Sequence, residues 1–440
     1  MNRILELAYK TWCAGAGLRS RRHRYKSYTY GDQWCDTVRD RHGRYMREDA
    51  RIIESGSKPL TNNLIRQLVK TVVGRYRTQS AESGLYSGEV AEPARRNGLA
   101  ELDSRLLEEF LISGCAIQRV VDERRWEGSG LWVDNVNPRD FFVNRFNDPR
   151  GLDIELVGML HDMSFAEVVN RFGEGSRAKV EELGRLYRKG GMSEAYSTLS
   201  LGECDDADDF FRPRIEGRCR VIEVWNFDSR CRADGASLDF VWHCRWLSPD
   251  GSVLREYDSP FGHGGHPFVV KFYPLTDGEV HSFVEDVIDQ QRYINRLIVM
   301  LDRILMSSAK GVLIFPEDQR LPGMRWEDIT DVWARSDGVI PVTGKGMHLP
   351  QQVMSDSGNT GAYQLLNMQL KLFEDISGVG DALLGRSNGS ARGVEMFDTQ
   401  VRNATIALAD IFDTFTAFVE KRNGLLASAK PRQEEIKNKK

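Results

Sequence analysis

The fourteen prolines of this chain are unevenly placed, and their gaps constrain the fold more than any other feature. None lies between Pro274 and Pro316, and none between Pro350 and Pro431. Proline lacks a backbone N–H and clashes with the preceding turn, so helix interiors exclude it. Two long proline-free blocks around a proline-bearing insert therefore predict long helices on either side of a small non-helical module. The apolar periodicity agrees. From Ser282 onward, Val284, Val287, Ile288, Ile294, Leu297, Ile298, Leu301, Ile304 and Leu305 recur at spacings of three and four, an amphipathic helix running to about Ser308. At 1.5 Å per residue such a helix is roughly 40 Å long. Strands are expected at 311–316 and 338–343, with a short helix from Trp326 to Trp333 between them. A second long helix begins near Thr360, carries Leu365, Leu366, Leu372, Phe373 and Ile376, and stops at Ser377 and Gly378.

Residues 378–393 hold five glycines, two serines and an asparagine, the composition of a mobile loop. A third long helix follows, with Phe397, Val401, Ala404, Leu408, Ile411, Phe415 and Val419 on one face; it fades at Asn423 and Gly424, ahead of a charged tail. The first 280 residues are mixed. Helices are expected at 62–77 and 102–111, and strands at 116–121, 132–136, 221–225, 240–244 and 268–273. Residues 174–214 are polar and place Glu203, Asp205, Asp206, Asp208 and Asp209 within seven positions, which reads as an exposed acidic insertion.

Composition bounds the function. Sixty Lys and Arg against 64 Asp and Glu give a net charge of −4, which argues against wholesale neutralisation of phosphates and leaves room only for a local basic patch. Seven cysteines without a C-x-x-C pair read as reduced intracellular thiols. The N-terminus lacks the apolar core of a signal peptide, and the run Leu297 to Leu301 is far too short to span a bilayer, so a soluble chain made in the cytoplasm is expected.

Catalytic patterns are missing from the sequence. The Gly344 to Gly346 stretch has neither the upstream glycine nor the following hydroxyl of a P-loop. His263 and His266, joined by glycines and followed by Pro267, read more simply as a turn into a strand than as metal ligands, because a structural site normally needs four. The acidic run at 203–209 lacks the glycine and terminal glutamate of a calcium loop. Neither a G-x-S-x-G elbow nor an H-E-x-x-H pair occurs. A non-enzyme with no cofactor and no metal is the expectation. One basic cluster stands out: Arg19, Arg21, Arg22, Arg24 and Lys26, interleaved with His23, Tyr25, Tyr28 and Tyr30. Such a mixture grips nucleic acid in some proteins; a surface or subunit-interface arm is the simpler alternative.

The order of these parts resembles the portal proteins of tailed bacteriophages. The likeness runs over roughly 25–425 as short segments in sequence: Tyr30 to Trp34, Pro59 to Ile65, Val72 to Gly74, Ser113 to Ala116, Asn137 to Phe142, Glu223 to Trp225 and Pro267 to Val270. It continues in a helix holding Gln290, Gln291, Tyr293 and Asn295, and in the Ser377 to Gly385 loop. The resemblance implies an α+β subunit: a mixed wing at 1–280, stem helices at 281–308 and 360–377, and a small β-containing clip at 309–359. A tunnel loop at 378–393, a channel and crown helix at 394–427 and a charged tail at 428–440 complete it, and the short C-terminal remainder implies a small crown. It further implies a dodecameric ring at one capsid vertex of the virion, through which double-stranded DNA passes non-specifically during packaging and ejection. The ring would touch the terminase large subunit, the major capsid and scaffold proteins and a head-completion adaptor, with no membrane. Gly380, Asp381, Gly385, Arg386, Ser387, Asn388, Gly389 and Arg392 would line the tunnel, Arg386 and Arg392 projecting into it. Trp326 and Trp333 would serve docking or packing in the clip. A ring-forming or capsid-associated structural adaptor or scaffold without a DNA conduit is the alternative class.

Overall fold

A computed structural model describes residues 3–40, 42–125, 128–188, 207–231, 238–261, 264–276, 278–310, 312–334, 339–344, 348–353, 359–380 and 406–428. The chain begins with helices α1 (Arg3–Ala14) and α2 (Ala16–Tyr30), the small hairpin β1 (Thr37–Arg39) and β2 (Tyr45–Arg47), and α3 (Glu48–Glu54). Next come α4 (Leu64–Glu82), α5 (Ala91–Asn97), α6 (Leu99–Ser113), β3 (Cys115–Arg125), β4 (Gly128–Asn135), β5 (Phe141–Val143) and β6 (Leu156–Met163). Helices α7 (Phe165–Phe172), α8 (Arg177–Arg188) and α9 (Ala207–Phe211) precede β7 (Cys219–Cys231), β8 (Leu238–Leu247), β9 (Val253–Asp258) and β10 (Phe268–Phe272). After the short pair β11 (Leu275–Thr276) and β12 (Glu279–Val280), the long α10 (Glu285–Lys310) leads to β13 (Val312–Ile314), α11 (Trp326–Ala334), β14 (Gln351–Val353), α12 (Asn359–Ser377) and α13 (Ala409–Ser428). The architecture is mixed α+β.

The chain divides into two units. The first comprises residues 1–33, 63–288 and 375–440, the second 34–62 and 289–374. The division falls inside α10 and inside α12.

Period-two alternation organises the first unit. Its five-stranded antiparallel sheet has the order β5-β6-β7-β8-β9. Leu156, Leu160, Ile222 and Val224 point to one face and pack on Leu5, Ala8, Tyr9 and Trp12 of α1 and on Phe210 and Phe211 of α9. Val157, Val221, Trp225 and Trp246 point to the other, against Cys115, Ile117, Phe268 and Val270 of a three-stranded sheet ordered β10-β3-β4. The far face of that second sheet carries α6 and α13. Phe415 of α13 meets Phe110 and Tyr76 at ring-centroid distances of 5.6 and 5.2 Å.

The segment 174–214 departs from the expected exposed insertion. Residues 189–206, with Glu203, Asp205 and Asp206, lie outside the described residues. Around them, α8 buries Leu183, and α9 inserts Phe210 and Phe211 beneath the sheet. Two adjacent phenylalanines outweigh the neighbouring acids, because each ring removes a large apolar area from water.

The turn at Gly114 ties α6 to both sheets. Gly114 has φ +71°, and a Cβ there would sit 2.7 Å from each of the Tyr273 and His281 carbonyl oxygens and from Val280 Cγ1. Only glycine meets both demands. Gly114→Ala is expected to destabilise the protein by about 3 kcal/mol or more, combining left-handed strain with overpacking; a denaturation midpoint equal to that of the parent would contradict this.

In the second unit, the Ile294, Leu297, Val299 and Leu301 side chains of α10 are buried. Strand β13 matches expectation, but its antiparallel partner is β14, with Leu313 opposite Gln352. Residues 339–343 are not a strand, although Val339, Ile340 and Val342 favour one. Val339 is 83% exposed, and Thr343 and Gly344 donate their backbone N–H groups to Gln319. The apolar alternation there has no buried face to serve, and β propensity without burial carries little weight. Helix α13 also runs past Asn423 and Gly424 to Ser428, because Arg422 and Leu426 continue its buried stripe.

Candidate functional site

The glycine-bearing segment after α12 leaves and re-enters the first unit at one place. Gly378 ends the helix with φ +66°, Val379 donates its N–H to Ser377 Oγ at 3.3 Å, and a Cβ on Gly378 would lie 2.9 Å from Ala407 Cβ. The chain thus returns beside its point of departure. Both stems are pinned: Val379 and Leu408 are buried, and Tyr273 Oη donates to Asp410 Oδ2 at 2.7 Å. Gly380 is half-buried. Asp381, Gly385, Arg386, Ser387, Asn388, Gly389 and Arg392 lie outside the described residues.

The helix that follows is riveted by charge. Arg422, fully buried, donates Nη1 to Asp103 Oδ1 at 2.9 Å and Nη2 to Asp103 Oδ2 at 3.0 Å. Gln118 of β3 closes the network, donating Nε2 to Asp103 and accepting from Arg422 Nη1. Tyr86 Oη also donates to Asp103, and burial beside that carboxylate pushes the phenol well above its ordinary range. Sequence reasoning passed over Asp103 and Arg422. The available signal was a charge on an apolar stripe: Arg422 continues the row Ile411, Phe415 and Phe418, and Asp103 that of Leu99, Leu106 and Phe110.

A second network joins the two sheets. Glu223 of β7 accepts from Arg119 Nη2 at 3.1 Å and from Trp225 Nε1 at 2.8 Å, and its other oxygen lies 2.8 Å from His161 Nε2. Burial alone would raise this carboxyl, but the Arg119 guanidinium and the His161 and Trp225 contacts hold it down at about 2. Burial depresses His161 below its usual 6.5, which the Glu223 contact only partly offsets.

Of the four helix residues singled out for their family likeness, Gln291 and Asn295 form a buried polar knot in the second unit, whereas Gln290 is half-buried and Tyr293 exposed. Gln291 Nε2 donates to the Asn62 carbonyl at 2.6 Å and to Asn295 Oδ1 at 3.1 Å, and Asn62 N–H donates to that same oxygen. Immediately after Gln291 and Asn295, Arg292 and Arg296, one turn apart, converge on buried Glu48, with Asp36 3.1 Å from Arg292.

The basic segment is a packed helix, not a free arm. Arg22 forms a bidentate pair with Glu109 of α6, Tyr25 and Tyr28 are buried, and the Arg19 guanidinium lies 3.6 Å over the Trp12 ring. Tyrosines three apart with Arg22 between their turns make a burial face, and that periodicity decides the matter. Arg24 lies 5.3 Å from the Tyr28 ring, Lys26 is exposed 5.9 Å from that of Tyr30, and Arg21 is half-buried. Trp326 is 44% exposed, with Phe315 edge-on and Arg320 5.2 Å from its ring, whereas Trp333 is half-buried.

Among the described residues, no group of three metal-ligating side chains converges, and no helix is long and apolar enough to cross a membrane. The family model for phage P22-like portal protein matches residues 147–431, which spans β6 through α13 and so includes both long helices and the returning segment. The chain belongs to the P22-like phage portal protein family. None of the curated proteins searched matches the sequence. As a portal protein, the chain is a structural component of the virion, associated with the capsid and assembling as an oligomeric ring.

Proposed function

We propose that twelve copies of this chain close into a ring at a unique capsid vertex and form the conduit for double-stranded DNA in packaging and ejection. Residues 1–280 act as the wing, 281–308 and 360–377 as the stem, 309–359 as the clip, 378–393 as the tunnel loop and 394–427 as the channel and crown helix. The observation that carries this reading is the return of the chain from Gly378 to Ala407. On this reading, the glycines that follow Gly378 let the segment adapt to a passing duplex between its two fixed ends. The charge balance suits sliding, since each phosphate contact releases counterions and must be undone for the duplex to move. A net charge of −4 with only a few cations offered to the duplex, Arg386 and Arg392 proposed among them, guides DNA without holding it. In the clip, exposed Trp326 offers a docking point for the terminase or for the head-completion adaptor.

The test is mass and shape, then packaging. Light scattering is expected to give a mass near twelve times 50.1 kDa, and negative-stain top views a central hole. A compact dimer without a hole would return the chain to the class of structural adaptors. Arg386→Ser with Arg392→Ser is expected to leave ring mass unchanged and to alter packaged DNA length or retention; normal packaging and retention would remove both arginines from the channel.

A further inference from the structure

Two touching helices of the first unit, α2 and α4, are strongly basic. Helices α2 and α4 together carry nine Lys and Arg and a single carboxylate, Glu82, in a chain whose net charge is −4. Their junction is built. Asn63 caps α4 by accepting from Arg66 N–H, and its Nδ2 donates to the Thr29 carbonyl of α2. Tyr30, 53% exposed, is flanked by two cations: the Arg66 guanidinium 4.5 Å from its ring and the Lys26 ammonium 5.9 Å from it. Glu108 pairs with Arg66 and accepts from Tyr30 Oη, which holds the ring beside Arg66.

From there a row of groups runs along one side of α4. Arg66, Gln67, Lys70 and Thr71 line a shallow depression of about 460 Å³. Exposed Gly74 follows, with open space where a side chain would stand, and then exposed Arg77. From Arg66 to Arg77 the row covers roughly 16 Å of helix axis, a length over which several phosphates of one DNA strand pass. Lys26 and Lys70 have no carboxylate partner among the described residues.

We infer that this α2–α4 face binds the sugar-phosphate backbone of duplex DNA without regard to sequence, at a place separate from the tunnel loop. Lys26, Lys70 and Arg77 supply the charge, Gly74 lets the strand approach the helix, and Tyr30 positions Lys26 beside Arg66. Charge complementarity favours a polyanion, and the choice of DNA among polyanions rests on the conduit reading above.

The experiment measures anisotropy of a labelled random-sequence duplex with the full-length purified protein from 50 to 200 mM salt. Lys26→Gln, Lys70→Gln and Arg77→Gln together are expected to weaken binding about tenfold or more at the low end. They should also reduce the slope of log affinity against log salt by about two to three, one counterion step per lost contact. The charge-keeping set Lys26→Arg, Lys70→Arg and Arg77→Lys should bind as the parent does. A ring carrying Arg386→Ser and Arg392→Ser separates the two readings. If that ring loses affinity while the triple Gln variant keeps both affinity and slope, the inference fails and the conduit stands. If the triple variant loses affinity in rings whose loop arginines are intact, the inference holds. Preferential displacement of the duplex by polyglutamate at equal charge would assign the face to an acidic protein partner and overturn it.

Discussion

Asp103→Ala is expected to lower the stability of the first unit by roughly 3–5 kcal/mol, the cost typical of removing one partner from a buried ion pair. Asp103 and Arg422 are 1% and 0% exposed, so solvent reaches neither to screen the charge left behind. Arg422→Met should cost a comparable amount, because Asp103 would then keep only Gln118 and Tyr86 as donors. The double variant should cost clearly less than the sum, since it removes the unpaired charge and leaves only the neutral Gln118 and Tyr86 imperfectly satisfied. Urea denaturation of the four proteins in a double-mutant cycle measures this. Strict additivity would show that the pair contributes nothing as a pair. Ring assembly should fail in both single variants before the fold does, because α13 carries the returning stem at Ala407 to Asp410.

Glu223 and His161 give the second large effect, read through pH. Unfolded, Glu223 takes up a proton near 4.5; folded, it stays ionised down to about 2. Between those values the unfolded chain holds more protons, so stability falls as pH falls, by about 3 kcal/mol over the full window. His161 acts in the same direction and earlier. Its folded value is depressed below 6.5, so acidification below that point favours the unfolded, protonated chain. Stability is therefore expected to be greatest above about pH 6.5 and to decline in two stages on the acid side. Glu223→Gln should remove the lower stage and, by leaving Arg119 buried without its counter-charge, lower stability at pH 7 by roughly 3–5 kcal/mol. His161→Gln should flatten the upper stage and, by removing a contact that holds Glu223 down, also narrow the lower one. A thermal-denaturation series showing identical acid profiles for parent and both variants would refute the assignment.

Helices α4, α6, α10, α11, α12 and α13 were legible because their evidence is local, whereas α1, α2, α3, α5 and α7 to α9 were not anticipated. Pro274 and Pro316 bracket α10, and apolar spacings of three and four run through it, so burial and period agree. Five of the eight strands of the two large sheets, β3, β4, β7, β8 and β10, were legible as runs of Val, Ile, Phe or Trp, whereas β5, β6 and β9 were not anticipated. Legibility ended where a long-range fact decided. Gln351 and Gln352 have little strand signal of their own and are strands because β13 lies opposite, whereas Val339 and Val342 have the signal and lack the partner. Phe210 and Phe211 were hidden among acids although their bulk decides their place. Asp103 and Arg422, 319 residues apart, could be recognised singly as charges on apolar faces but not as each other's partner. Of the proposed site, the glycine loop was legible as a loop, and the close approach of Gly378 to Ala407 was not. That contact belongs to the fold, with no trace in spacing or composition.

The distance in sequence between Asp103 and Arg422 has a consequence for synthesis. A nascent chain makes α6 and β3 first, and the guanidinium that neutralises Asp103 emerges from the ribosome only 319 residues later. Any polypeptide released before residue 422 carries an unanswered carboxylate in the middle of its first unit, together with an uncovered face of the three-stranded sheet. Such a fragment is a poor competitor for a place in the ring, where one defective subunit spoils the closure of all the others. The late arginine thus makes completion of the first unit wait on α13: until residue 422 is made, Asp103 has no counter-charge.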